Sequence, residues 1–221
     1  MRMSGKMNRI KGVLLDLDNT LYNYDICNSS AMNKVFSDLS KRYAVSNEEI
    51  KKHFYNARKQ VKITLKGTGA SHSRLLYFKV MIENLQGSTD PKLSLFYSDL
   101  YWKEYFKHMV LSKDAEEFLV FCKNKNIKIA VITDLTAEIQ LKKIIKLGIS
   151  KYISLIITSE EVGKDKPDPK IFYYALNKLN CKPKDAIMIG DDVKRDILSA
   201  KKLGIRVYES FNKIPKNSIY L

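Results

Sequence analysis

Long apolar runs are missing from this chain. None approaches the roughly 18 residues that a membrane-spanning helix needs, so no helical membrane span is expected. The N-terminus lacks the apolar stretch of a secretory signal; Met1 to Lys6 reads as a polar leader, and Met7 as an alternative start. Cysteine is scarce: Cys27, Cys122 and Cys181 are odd in number and scattered, which excludes a disulfide framework and zinc-site spacing. Reduced thiols, and so a cytoplasmic setting, are expected. Internal repeats, low-complexity tracts, an RGG tract and RNP-like aromatic motifs are also absent. Negative charge is in deficit, with 24 acids against 39 lysines and arginines and a net charge of +15. Such an excess suits a nucleic-acid surface, a field that draws in phosphorylated metabolites, or a solvated lysine-rich surface. Because the lysines are spread over most of the expected helices, the solvated surface leads and metabolite steering follows.

Enough apolar residues are present, 45% of 221, for one large domain or a core with a smaller companion. The chain is organised around Ile10 to Tyr22, I-K-G-V-L-L-D-L-D-N-T-L-Y. Val13-Leu14-Leu15 fits a strand buried on both faces of a parallel sheet, and it ends in Asp16. Ligands of open α/β sheets bind just beyond the carboxyl ends of such strands. Asp16 is therefore expected at the mouth of a site, with Asp18 beside it, since alternate residues of an extended chain point the same way. Two carboxylates so close repel unless a cation separates them. A hard divalent ion and a lysine are the candidate neutralisers.

After Tyr22 the pattern turns helical. Ala31, Val35, Phe36 and Leu39 recur at helical spacing, and Ser46 or Asn47 opens a second helix carrying Ile50, Phe54, Ala57 and Val61. Gly67-Thr68-Gly69 breaks it, and further helices follow over Leu75 to Leu85 and Leu93 to Phe106. Residues 23–106 thus read as a helical insertion over the site, and 1–22 with 107–221 as an α/β core. From Ser112 strands and helices alternate: strands are expected at Ile127 to Ile132, Ile153 to Ile157, Ala186 to Ile189 and Ile205 to Tyr208, and helices at Ser112 to Asn126, Thr136 to Leu147, Pro169 to Leu179 and Val193 to Leu203.

Three later segments carry polar groups that can converge on Asp16. Ile129 to Ile132 leads into Thr133-Asp134, a hydroxyl and backbone N–H groups ahead of a helix, suited to a phosphate. Gly163-Lys164-Asp165-Lys166-Pro167-Asp168-Pro169 is stiffened by two prolines and presents Lys166 as a point charge for carboxylates and phosphate oxygens. Ile187 to Ile189 ends in Gly190-Asp191-Asp192, with Asp191 placed to share a cation with Asp16 and Asp196 returning along the next helix. Each alone is also explained by helix capping or solvation.

In this order the four segments resemble the motifs of the haloacid dehalogenase superfamily, and its phosphatase branch with a helical cap in particular. The likeness spans nearly the whole chain and rests on D-L-D-N-T, V-I-T-D, K-P-D-P and G-D-D-V-K-R-D. It implies a Rossmann-like parallel-sheet α/β core with a helical cap inserted after the first strand. Asp16 would be the nucleophile and Asp18 the general acid and base. Thr133, Asp134 through its N–H, and Lys166 would bind the phosphoryl group. Asp16, Asp18 through its carbonyl, and Asp191 would hold Mg2+, supported by Asp196 and Asp192. Asp134 stands where many members carry Asn, so its carboxylate is expected to point away. The implied activity is magnesium-dependent hydrolysis of a small phosphorylated metabolite through an aspartyl-phosphate, by a monomer or homodimer. Asp18 argues against the dehalogenase branch, which lacks an acid there. A phosphomutase would keep all four motifs; a nucleic-acid-binding module would explain the charge but none of them. Gly67 to Arg74 resembles a segment of capped members grouped with sialic-acid-9-phosphate phosphatases, and makes His72 and Arg74 candidates for reading the substrate.

Overall fold

The computed structural model describes residues 10–215, so the polar leader and the alternative start at Met7 lie outside the described residues. Contacts divide the chain into two compact units, Asn23–Val110 and the remainder.

The remainder is built on a five-stranded parallel sheet in the order β3-β2-β1-β4-β5. The strands are β1 (Gly12–Leu15), β2 (Lys128–Thr133), β3 (Leu155–Thr158), β4 (Ala186–Ile189) and β5 (Arg206–Tyr208). Every residue of β1 and β4 is buried, as uninterrupted apolar runs at the centre of a parallel sheet should be. Register places Leu15 between Val131 and Ile189, which brings the residues after these three strands to one edge. Leu14, Ala130, Ile132 and Met188 pack with Ile171, Phe172 and Leu176 of the helix Pro169–Leu179. The alternate residues Val13, Leu15, Ile129, Val131, Ile187 and Ile189 are equally buried. The parallel sheet expected from sequence is therefore present, with small shifts at its ends. β3 begins at Leu155 because Ser150–Tyr152 forms a 3₁₀ turn and Ser154 N–H donates to Ile129 O at 2.9 Å. One expected helix is different in kind. Val193 to Leu203 is a π-helical turn, Val193–Ile197, followed by a short helix Leu198–Lys202. The Asp192 side chain accepts from the N–H groups of Lys194 and Arg195, and Asp192 O from Asp196 and, at 3.4 Å, Ile197, so the turn opens wide at its start.

The unit Asn23–Val110 holds α1 (Tyr24–Tyr43), α2 (Asn47–Thr64), α3 (Arg74–Gln86) and α4 (Pro91–Lys107). Asn23, Ser46, Ser73 and Asp90 each accept a backbone N–H at these helix starts, worth about 1 kcal/mol apiece. Its interior is aromatic. Phe54 and Phe78 meet at 5.5 Å between ring centroids, with Tyr77, Tyr97 and Tyr101 around them. The buried tyrosines keep their hydroxyls bonded: Tyr77 to Ser71 O, Tyr97 to Asp38 and Tyr101 to Asn28. Among the described residues no helix is long and apolar enough to cross a membrane.

Candidate active site

The sheet order reverses direction at β1: the chain proceeds to β2 and β3 on one side, then to β4 and β5 on the other. Such a switch point opens a crevice at the carboxyl ends of the strands. Asp16 follows β1 there, its N–H donating to Ile189 O at 2.9 Å. Its carboxylate is buried, with Lys166 Nζ 2.5 Å from Oδ1 and the Thr20 hydroxyl donating to Oδ2 at 3.0 Å. Lys166 also lies 2.7 Å from Asp196 Oδ1 and donates to Ile132 O at 3.2 Å. Burial works against its charge, but Asp16 and Asp196 outweigh burial and hold the ammonium above its ordinary range.

Side-chain oxygens of Asp16, Asp191 and Asp196 all come within 4.8 Å of one another. Asp191 is the exposed member of the three, yet partial desolvation, and then the charge of Asp16, push it up to about 6. Asp196 is raised as well, by burial first, with Lys166 pulling the other way. Three carboxylates against one ammonium leave an excess of negative charge, and an all-oxygen donor set of this kind fits a hard divalent cation. Gly190 makes the cluster possible: a Cβ there would meet Asp196 Oδ2 at 2.5 Å.

The Asp18 carboxylate does not join that cluster. Lys143 Nζ lies 2.7 and 2.8 Å from its two oxygens, and the Tyr22 hydroxyl donates to Oδ1. Asn19 turns the chain here with φ of 61°, a left-handed conformation that Asn tolerates well. At the end of β2, Thr133 is buried and accepts a hydrogen bond from Gln140 Nε2 at 2.6 Å. The carboxylate of Asp134 accepts from Lys166 N–H at 3.0 Å and pairs with the Arg195 guanidinium. Arg195 Nε further donates to Lys166 O at 3.3 Å. Asp192 is occupied with capping the π-helical turn.

His72 and Arg74 lie in the helical unit. His72 Nδ1 is 3.4 Å from Lys62 Nζ. Arg74 donates to His72 O at 3.0 Å and to the Tyr24 hydroxyl at 2.5 Å, and its guanidinium sits over the rings of Tyr77 and Tyr101. No carboxylate among the described residues pairs with it.

Sequence reasoning missed Thr20, Gln140, Lys143 and Arg195. Thr20 and Arg195 fall inside the quoted motifs and could have been read there. Gln140 and Lys143 left a fainter signal, two polar residues three apart on a helix whose other apolar residues allow more than one inward face.

Fold and site together define a class. The chain belongs to the haloacid dehalogenase-like hydrolases, whose family model matches residues 13–209. Within that class it is 38% identical to ribulose-1,5-bisphosphate 5-phosphatase of Halopiger xanaduensis, over 87% of this chain and 81% of that protein. It is 25% identical to human N-acylneuraminate-9-phosphatase, over 94% of this chain and 84% of that protein. Among solved structures, a HAD phosphatase from Thermococcus onnurineus superposes with a TM-score of 0.73 at 22% identity, covering 92% of this chain and 95% of that one. Both named relatives are phosphatases, in line with the phosphatase branch expected from the four motifs.

Proposed function

We propose that this protein is a magnesium-dependent phosphatase acting on a small sugar phosphate. The observation that carries the reading is the meeting of Asp16, Lys166, Asp191 and Asp196 at the switch point of the sheet. A carboxylate is a weak nucleophile, but alignment and charge neutralisation suffice for a phosphoryl group. Asp16 attacks phosphorus in line and becomes an aspartyl-phosphate as the bond to the leaving alcohol breaks. Asp18 gives its proton to that alcohol, then takes one from the water that cleaves the intermediate. The Thr133 hydroxyl, the Asp134 N–H and Lys166 hold the phosphoryl oxygens. Asp16, Asp191 and the carbonyl of Asp18 would hold magnesium with Asp196 in support, and the ion would supply positive charge to those oxygens. His72 and Arg74 are the candidates for reading the rest of the substrate, since a guanidinium without an acid partner suits a carboxylate, a second phosphate or hydroxyls.

The test is phosphate release from a panel of sugar phosphates, including ribulose 1,5-bisphosphate and N-acylneuraminate 9-phosphate, with magnesium or with EDTA. Release should need the ion, and magnesium alone should raise the melting temperature of the parent but not of Asp191→Asn. Asp16→Asn should fold and lose turnover by at least about a thousandfold. Full activity after exhaustive EDTA treatment, or turnover by Asp16→Asn within tenfold of the parent, refutes the reading.

A further inference from the structure

Helix Ala137–Lys146, the α6 of the chain after α5 (Lys113–Asn124), turns two polar side chains inward beside Ile144. It buries Gln140 and Lys143 almost completely while Leu141 and Ile145 stand 47% and 70% exposed. Burying an ammonium is costly unless it is paired, and Gln140 Oε1 is buried with no hydrogen-bond partner. Apolar residues at both positions would serve a helix on a sheet better, so the sequence keeps these two for something other than stability.

Their partners show what that is. Gln140 Nε2 donates to Thr133 Oγ1 at 2.6 Å and to Asp134 O at 2.7 Å. A carbonyl on one side fixes which end of the amide faces inward. With Gln140 donating to its oxygen, the Thr133 hydroxyl keeps its single proton for another acceptor. Asp134 O, at 3.4 Å, is a poor one. Lys143, one turn along, grips both oxygens of Asp18, whose side chain is otherwise 32% exposed on a turn.

We propose that α6 is a positioning element for phosphoryl transfer: Gln140 aims the Thr133 proton at a phosphoryl oxygen, and Lys143 holds the Asp18 carboxyl on the line of proton transfer. This rests on the phosphatase reading. In the first step the bond from Asp16 Oδ to phosphorus forms, the bond to the alcohol oxygen breaks, and the proton of Asp18 goes to that oxygen. In the second, Asp18 takes a proton from water, the water oxygen bonds to phosphorus, and the bond to Asp16 breaks. Both steps need Asp18 in place, whereas Thr133 matters as soon as a phosphate is bound. Gln140 acts through Thr133 and Lys143 through Asp18.

Two variants one turn apart, on one buried helix face, should therefore fail differently. In Lys143→Met, kcat should fall about thirtyfold or more, with KM within twofold. Lys143→Arg should recover about tenfold of the lost kcat. Gln140→Leu should instead raise KM, and the inhibition constant of inorganic phosphate, about fivefold or more with a smaller loss of kcat. Melting curves establish that each variant folds; if Lys143→Met does not, Lys143→Gln is judged by the same split. Equal losses in kcat and KM for both positions, or a Lys143 variant within twofold of the parent, overturn the proposal. Phosphate release by the parent tests the phosphatase reading separately, so a working parent whose variants do not split sinks only the assignment of α6.

Discussion

Gly190 leaves no room for a side chain. A Cβ would meet Asp196 at 2.5 Å to Oδ2 and 2.7 Å to Cγ, and Asp196 is the second carboxylate on Lys166. Gly190→Ala should push Asp196 out of the cluster and leave Lys166 leaning on Asp16 alone. Turnover should fall about tenfold or more, with magnesium needed at higher concentration, while the melting temperature drops by only a few degrees. Magnesium titration of activity and a thermal melt check this; an alanine variant with the parent's magnesium dependence would mean that Asp196 is not held by the fit at Gly190. Asp191 offers a second measurement. Its value in the folded chain is raised from 3.8 to about 6, so the native state binds its proton more tightly than the unfolded chain does. Its contribution to stability is therefore greatest at low pH and is lost as pH rises through that window. In EDTA, melting temperatures of the parent should lose more between pH 4 and pH 6.5 than those of Asp191→Asn, which lacks the titrating group. Identical pH profiles would show that Asp191 carries no such strain.

At the scale of elements, the π-helical turn after β4 fastens two loops that belong to other strands. Arg195 pairs with Asp134, which follows β2, and donates to the carbonyl of Lys166, in the loop before the helix Pro169–Leu179. Arg195→Ala leaves the largely buried Asp134 carboxylate with the Lys166 N–H. Because Arg195 is 35% exposed, the cost should be about 1–2 kcal/mol rather than that of a fully buried pair. Lys166 loses the hydrogen bond to its carbonyl, so kcat should fall several-fold beyond what the stability loss explains. A variant with lowered melting temperature and unchanged kcat would make Arg195 a purely structural tie. Sequence legibility divides along the same line. Asp16, Thr133, Lys166 and Asp191 could be read because each stands at or just after an apolar strand or in a proline-fixed loop, where chain order dictates position. Lys143 could not, since Leu141, Ile144 and Ile145 suggest an apolar face that leaves it in solvent, whereas the folded helix buries Lys143 beside Ile144 and exposes the other two. Nor could the wide turn at Val193–Ile197, because capping by Asp192 sets its pitch and not the spacing of its apolar residues. Asp18 is the intermediate case. Its place after β1 was legible, but β1 ends at Leu15, before either acid, so strand alternation does not bind the pair, and the Asp18 carboxylate goes to Lys143 rather than to the acid cluster.

For the whole molecule the open matter is the charge of +15 surrounding an acid-rich site. Local geometry needs Lys166 and Lys143; it does not need the rest. Most remaining lysines are exposed on helices, several in one-turn pairs with glutamates such as Lys51–Glu48 and Lys142–Glu138, which stabilise little. Their sum can still act at a distance. A field of this size draws anions toward the protein before any contact forms, and salt screens it over about 8 Å at physiological ionic strength. A steering field acts on encounter, so it enters kcat/KM and leaves kcat alone. It also scales with substrate charge. Raising KCl from about 50 to 500 mM should therefore lower kcat/KM several-fold for a sugar bisphosphate and less for a monophosphate, with kcat within twofold for both. Sulfate must be avoided, since it would compete for the phosphoryl site and imitate the effect. Equal salt slopes for the two substrates would point to ion competition at the site. A flat response would leave the lysines as a solvated surface with no part in capture.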